Sequence, residues 1–179
     1  MNICVVCHSR VGSTSFGNWL SKELKLDYIH EPFNPNHKEI YNNINFEENR
    51  FVINLEPSHL ELIKTDKKII GLIRENTLDC AISLIHAIHS DKWHREYTIT
   101  QCWIDDNIEE IKKMEIKIKK QNNNIKEMYT DILVTYEGIY DTHTDIPKLQ
   151  EFFNLKSFSY ISEYLNPKMR YRNRPKIII

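Results

Sequence analysis

The sequence predicts a three-layer α/β fold, in which a mostly parallel central sheet of about four or five strands is flanked by helices. Short apolar segments rich in β-branched residues alternate along the chain with segments whose apolar residues recur at helical spacing. The apolar segments lack polar alternation, which is typical of parallel strands buried on both faces. Ligands bind at the carboxyl ends of strands in such folds, so the residues that follow each strand are the first candidates for a site.

The individual elements are predicted from local patterns. The run Ile-Cys-Val-Val-Cys predicts the first strand at residues 3–7. An apolar face at helical spacing follows it, and Ser13 or Thr14 can serve as the N-cap of that helix. The predicted strands are 3–7, 27–30, 51–55, 68–73 and 132–136, and the predicted helices are 14–24, 58–64, 76–90, 100–128 and 146–153.

Length and composition narrow the class of protein. The chain has 179 residues, which suits one domain spanning residues 1–179. Lys and Arg number 24 and Asp and Glu number 25, a balance that argues against a nucleic-acid partner or a polybasic membrane binder. No apolar run approaches the ~20 residues that span a bilayer, and the first residues do not resemble a signal peptide. Four cysteines in such a chain indicate reduced thiols, so we expect a cytoplasmic protein.

The segment Arg-Val-Gly-Ser-Thr-Ser at residues 10–15 is the first candidate anion site. It lies between a strand and a helix, where backbone N–H groups and the helix dipole attract negative charge. Gly12 allows close backbone approach, three hydroxyls follow it, and Arg10 supplies a charged fork for two oxygens. The segment is not a Walker A loop, because no lysine precedes the hydroxyls. The alternative interpretation is a plain capped helix.

A second candidate follows the strand at 68–73. Arg74 leaves the strand end, and Ser83 lies on the polar side of the next predicted helix. Together they could hold a phosphate. The alternative is a structural arginine paired with Glu75 or Asp79.

A third candidate is the pair His30 and Glu31, at the point where the short predicted strand 27–30 runs into a loop. An imidazole or carboxylate in a loop at this edge of the sheet can take a proton from a substrate hydroxyl. The alternative is a loop with ordinary polar groups.

The fourth segment is Thr-Tyr-Glu-Gly-Ile at residues 135–139, where a strand runs into a turn. In isolation it indicates an ordinary strand–helix junction.

In this order, the four segments resemble the sulfotransferases that use 3′-phosphoadenosine 5′-phosphosulfate (PAPS), and bacterial and carbohydrate-type members most. The resemblance implies a P-loop-like form of the α/β fold. In that family a strand, loop and helix of the form Arg-x-Gly-[Ser/Thr]-[Ser/Thr] hold the 5′-phosphosulfate. The resemblance therefore assigns this end of PAPS to six consecutive residues, Arg10, Val11, Gly12, Ser13, Thr14 and Ser15.

The later segments match further parts of the family pattern. A strand-end arginine and a helix serine bind the 3′-phosphate there, which implies this role for Arg74 and Ser83. Carbohydrate-type members place a catalytic glutamate in a Glu-Pro pair after the first helix, and Glu31 precedes Pro32. Residues 135–139 resemble the family's [Arg/Thr]-Tyr-Glu-Asp-Leu strand end.

Two positions depart from the family. The spacing from Arg74 to Ser83 is one residue longer than usual. Glu75, and not an arginine, therefore occupies the position at the usual distance from Ser83. Gly138 replaces the aspartate of the fourth segment. The chain is also short for the family, which implies small lids and substrate loops.

The C-terminal tail is strongly basic, with Lys or Arg at 168, 170, 172, 174 and 176. A basic C-terminal segment often closes over the nucleotide in the family. The resemblance thus implies contacts from Arg170 and Arg172 and stacking of Tyr171 on adenine. The alternative is a solvated tail.

The reaction implied by the resemblance is in-line transfer of a sulfuryl group from PAPS to a hydroxyl of a carbohydrate or other small acceptor, with PAP as the product. Arg10 would stabilise the charge on the departing phosphate, so no metal is expected. Glu31 is the predicted general base and His30 its reserve.

The sequence also allows other interpretations. A P-loop nucleotide kinase lacks support because the Walker lysine and an obvious strand-end aspartate for Mg²⁺ are missing. A non-catalytic nucleotide-binding protein of the same fold is the rival from another class. Cys4 and Cys7 form a C-x-x-C pair, but on a strand their side chains would face opposite sides. Zinc at His86, His89, His94 and Cys102 is disfavoured by the irregular spacing.

Overall fold

A computed structural model describes residues 2–34, 50–91, 98–160 and 176–178. The main sheet contains five strands, all parallel, which confirms the predicted α/β fold with helices on both faces. In spatial order these are β2 (Asp27–His30), β3 (Phe51–Leu55), β1 (Asn2–Cys7), β4 (Lys67–Ile73) and β6 (Ile132–Thr135). A separate parallel pair joins β5 (Thr98–Thr100) to β7 (Lys176–Ile178), and the sequence pattern predicts neither strand.

The helices lie close to their predicted positions, with two differences. They are α1 (Ser13–Leu24), a 3₁₀ helix (Pro57–Leu62), α2 (Thr77–Ser90), α3 (Gln101–Asp106), α4 (Ile108–Glu127), α5 (Tyr136–Tyr140) and α6 (Ile146–Phe153). The single helix predicted at 100–128 is wrong, because the chain breaks at Asn107, whose side chain donates to the Trp103 carbonyl and competes with the helical bonds. The predicted strand at 132–136 stops one residue early, and Tyr136 begins a helix instead.

The alternating side chains of β1 build both faces of the core. Ile3, Val5 and Cys7 pack into the cluster that α1, α5 and α6 cover. Cys4 and Val6 point to the opposite face, beneath the 3₁₀ helix and the end of α4. All of β1 is buried, which explains its uninterrupted apolar sequence.

A third apolar cluster joins the helices beyond β4. Ile82 and Ile85 of α2 pack against Ile104 of α3 and against Ile111 and Ile118 of α4. This cluster uses the isoleucines that recur at helical spacing in the long charged segment. Within the described ranges, no helix has the length and apolarity needed to cross a bilayer.

The strand order places a topological switch between β1 and β4. The chain leaves β1 through α1 toward β2 on one side, and leaves β4 through α2 toward β6 on the other. The two connections diverge at the carboxyl ends of these strands, and ligands of open α/β sheets bind in a crevice at this position. Residues 8–12 and 74–76 follow the two strand ends and so flank the expected crevice.

Candidate functional site

The loop between β1 and α1 has a backbone suited to an anion. Arg10 and Gly12 both adopt left-handed conformations, with φ of 67° and 77°. This conformation costs a non-glycine residue roughly 1–2 kcal/mol, and such strain concentrates at functional sites. Among the described residues no side chain caps the α1 N-terminus, and its first turn contains no acidic residue. The first N–H groups of α1 therefore keep their capacity to bind an anion.

The structure brings together Arg10, Arg74 and Ser83, which are far apart in sequence. Arg10 Nε donates to Ser83 Oγ at 3.0 Å, and Arg74 Nη1 donates to the Arg10 carbonyl at 3.3 Å. Ser83 thus contacts the arginine assigned to the 5′ end of PAPS. Cys80, one turn earlier on α2, directs its thiol at the Ser9 and Arg10 carbonyls, so one face of α2 supports the loop.

Arg74 is held on several sides. The residue is only 8% exposed, and its guanidinium stacks on the Tyr136 ring at 4.4 Å. Nη2 lies 3.7 Å from Asp79 Oδ2, so the pairing offered by the structural alternative is present. Its Nε is buried and has no hydrogen-bond partner in the described part of the chain. Asp79 is 41% exposed and neutralises this charge only in part.

The hydroxyls after Gly12 divide into inward and outward groups. The buried Ser13 acts on the Cys7 thiol and lowers its pKa against the effect of burial, and the half-buried Thr14 acts in the same way on the Tyr28 phenol. Ser15 is exposed. Val11 is fully buried in the main core, so it could contact a ligand only through its backbone.

His30 is the last residue of β2 and Glu31 follows it, and β3 separates this strand from β1. Glu31 is half-buried with φ of 40°, and its Oε2 accepts from Asn34 Nδ2 at 3.2 Å. His30 Nδ1 lies 3.1 Å from the Tyr28 hydroxyl. Both side chains occupy the same edge of the sheet as the loop, and their catalytic roles stay predictions.

Helix α5 contributes contacts that sequence reasoning missed. The Glu137 carboxylate accepts the backbone N–H groups of Glu75 and Asn76, both at 3.0 Å, and so holds the β4–α2 junction. The Tyr140 hydroxyl donates to the Gly12 carbonyl at 2.6 Å. Because Tyr136 also stacks on Arg74, helix α5 positions both the β1–α1 loop and the β4–α2 junction.

Gly12 and Gly138 have steric roles in this arrangement. A Cβ on Gly12 would lie 2.8 Å from the Tyr140 ring. A Cβ on Gly138 would overlap the Asp145 carboxylate, which accepts the backbone N–H and hydroxyl of Thr135. The buried Asp145 fills the space beside position 138, which explains why a glycine stands there.

A buried histidine, His8, supports the loop from below. Its Nε2 lies 2.8 Å from Asn122 Oδ1 and its Nδ1 lies 3.0 Å from the Ser9 carbonyl, while Asn122 Nδ2 donates to the Arg74 carbonyl. Burial lowers the pKa of His8 and outweighs the opposing effect of these two hydrogen bonds. The only sequence signal for this role was the position of His8 immediately after a strand.

The lowered pKa of His8 predicts a dependence of stability on pH. As the pH falls below the unfolded value of 6.5, the unfolded chain takes up a proton before the folded protein does. The free energy of unfolding is then expected to decrease by up to ~1.4 kcal/mol per pH unit until the folded pKa is passed. Denaturant unfolding between pH 7.5 and 5 measures this slope. His8→Gln should flatten the slope and His59→Gln should not; equal slopes in both variants would contradict the role of His8.

Other sequence candidates have different outcomes. Cys4 and Cys7 occupy opposite faces of β1, as predicted, and burial raises the pKa of each thiol to about 12. His86 and His89 pack edge-on against the Trp103 ring. In the described ranges no three His, Cys, Asp or Glu side chains form a metal-binding group. Arg170, Tyr171, Arg172 and His94 lie outside the described residues.

No protein-family model matches this chain, and no curated protein matches it either.

Proposed function

We propose that the protein is a sulfotransferase that moves the sulfuryl group of PAPS to a hydroxyl of a carbohydrate or another small acceptor. The observation that carries the proposal is the convergence of Arg10, Arg74 and Ser83 on the loop before the α1 N-terminus. The order of the four motifs along the chain also supports a sulfotransferase.

Hydrogen-bond donors support an anionic ligand. Arg10 and Arg74 act electrostatically on the Cys80 thiol, and so do the carboxylates of Asp79 and Glu137, so the formal charges balance. The Glu137 carboxylate accepts from the backbone N–H groups of Glu75 and Asn76, and Asp79 is partly exposed. A ligand with several phosphate or sulfate oxygens could accept hydrogen bonds from the guanidinium groups and from the α1 N–H groups.

The chemistry assigned to these residues is an in-line displacement. The acceptor oxygen forms a bond to sulfur, the bond from sulfur to the 5′-phosphate oxygen breaks, and that oxygen keeps the electron pair. Arg10 and the loop N–H groups would stabilise the leaving phosphate, as metal ions do in phosphotransferases. Glu31 would accept the proton of the acceptor hydroxyl.

Calorimetric titration tests the binding step. PAP, AMP, ADP and ATP are compared with and without Mg²⁺, since AMP differs from PAP only by lacking the 3′-phosphate. Micromolar binding of PAP that is independent of Mg²⁺ and much tighter than binding of AMP is expected, and it would justify a screen of acceptors. A preference for ATP with Mg²⁺ would favour the kinase, and binding of PAP without turnover on any acceptor would favour a non-catalytic protein.

A further inference from the structure

A buried polar network joins helix α4 to the two segments that flank the proposed anion site. His8 is 3% exposed and Asn122 is 5% exposed. Asn122 Nδ2 donates to the Arg74 carbonyl at 2.7 Å, and Asn122 Oδ1 lies 2.8 Å from His8 Nε2. On the other side of the ring, His8 Nδ1 lies 3.0 Å from the Ser9 carbonyl. His8 therefore connects α4 to the first carbonyl of the β1–α1 loop.

Both nitrogens of the His8 ring face an oxygen that can only accept. The Arg74 carbonyl needs a donor, so Asn122 presents its NH₂ group to Arg74 and its oxygen to His8. The Ser9 carbonyl, which Nδ1 faces, also needs a donor. A neutral imidazole has one N–H and satisfies one of these two contacts, whereas the imidazolium has two and satisfies both.

The Ser9 carbonyl bears on the anion site through the geometry of the peptide group. The C=O and N–H of a trans peptide point in opposite directions, so holding the Ser9 carbonyl against His8 aims the Arg10 N–H away from His8. Arg74 Nη1 holds the Arg10 carbonyl, and this aims the Val11 N–H in the same manner. Successive N–H groups in a turn with a left-handed residue, such as Arg10, form a concave anion-binding site.

The surroundings of His8 oppose its second proton while no anion is bound. Burial is the largest cause of its lowered pKa, and the positive charge of Arg74 acts in the same direction. Glu56, which follows β3, acts the other way, and α4 presents the uncharged Asn122. The Cys80 thiol of α2 reaches the same loop carbonyl, and burial raises its pKa to about 11, so it stays neutral.

We propose that His8 is a positioning residue that takes up a proton when an anion with sulfate or phosphate oxygens binds at the start of α1. The inference rests on the anion site of the proposed function, but it requires neither PAPS nor turnover. The bound anion offsets the charge of Arg74, and the added proton lets His8 hold the Ser9 carbonyl and Asn122 at the same time. Anion binding and protonation of His8 therefore favour each other to the same extent.

NMR titration of the ¹⁵N-labelled histidines in the whole wild-type chain tests this linkage with inorganic sulfate. Sulfate stays fully ionised from pH 8 to 5, whereas the phosphates of PAP titrate in this range. The His8 titration midpoint is expected about 1 pH unit higher in saturating sodium sulfate than in sodium chloride of equal ionic strength. The exposed His89, which pairs with Glu110, is the internal control, and its midpoint should be the same in both salts.

Sulfate affinity gives the reciprocal readout, measured from the backbone amide shifts of Ser13 and Thr14. Sulfate should bind about tenfold more tightly at a pH below both His8 midpoints than at a pH above them. His8→Gln removes the titrating ring, so the affinity of this variant should not depend on pH. The matched control His59→Gln should keep the wild-type dependence.

Two results would overturn the inference, and neither needs a variant to fold. The first is a His8 midpoint that is equal in the two salts, or a ring that stays neutral to pH 5 in both, while sulfate shifts the amides at the start of α1. The second is sulfate that leaves these amides unshifted at every pH, which would remove the anion site itself. A shifted His8 midpoint without preferential binding of PAP over AMP would refute the sulfotransferase and support the inference.

Discussion

Replacing Arg10 with lysine is expected to weaken PAP binding by roughly 10- to 100-fold, the effect of losing one or two charge-assisted hydrogen bonds. Lysine keeps the positive charge but lacks the planar fork that can donate to Ser83 and to an anion at the same time. Calorimetric titration of PAP into the variant measures the change. The melting temperature should change little, because the loop carbonyl that Arg74 and Cys80 contact belongs to the backbone.

Arg50→Lys provides the matched control. Arg50 is exposed and precedes β3, so it lies at the amino edge of the sheet, away from the crevice. The same chemical change there should leave PAP affinity at the wild-type value. Wild-type affinity in Arg10→Lys would show that the Arg10 guanidinium does not bind the nucleotide with the geometry that only arginine provides.

Replacing Gly138 with alanine is expected to reduce the free energy of unfolding by about 2–4 kcal/mol. The added Cβ would lie 2.5 Å from Asp145 Cγ and 2.7 Å from Thr135 Oγ1. Asp145 is 2% exposed and cannot move aside without breaking its bonds to Thr135. For a chain of this size the melting temperature should fall by roughly 5–15 °C. Gly138→Asp, which introduces the aspartate found in the sulfotransferase pattern, should be worse because it sets a second carboxylate against the first.

The sign of the effect is itself diagnostic. Gly138 lies in a helix, where a change from glycine to alanine ordinarily stabilises by up to ~1 kcal/mol. A stability gain in Gly138→Ala would therefore contradict the steric argument. In an Asp145→Ala background the same change should cost at least 1 kcal/mol less, because the residue it collides with has been removed. Additive costs would place the collision elsewhere.

Much of the sheet could be predicted from the sequence, because β1, β3, β4 and β6 are short, largely apolar runs, and strands buried on both faces need no alternation. The break at Asn107 and the pairing of β5 with β7 could not. Asn107 sits inside a long segment with helical periodicity, and a single side-chain bond to Trp103 accompanies the break. The strands β5 and β7 have three residues each, too few for a pattern to distinguish them from a loop.

For the candidate site, too, one part could be predicted from the sequence and another part could not. The residues that follow each strand can be identified in the amino-acid sequence, and parallel pairing brings those strand ends to one edge of the sheet. Which side chains meet at that edge depends on packing between distant segments. Ser83 bonds to Arg10, Ser13 and Thr14 turn inward, and Tyr140 reaches Gly12 across 128 residues of sequence. Such contacts depend on how helices pack over the sheet, and local propensity contains no information about side chains that meet from distant segments.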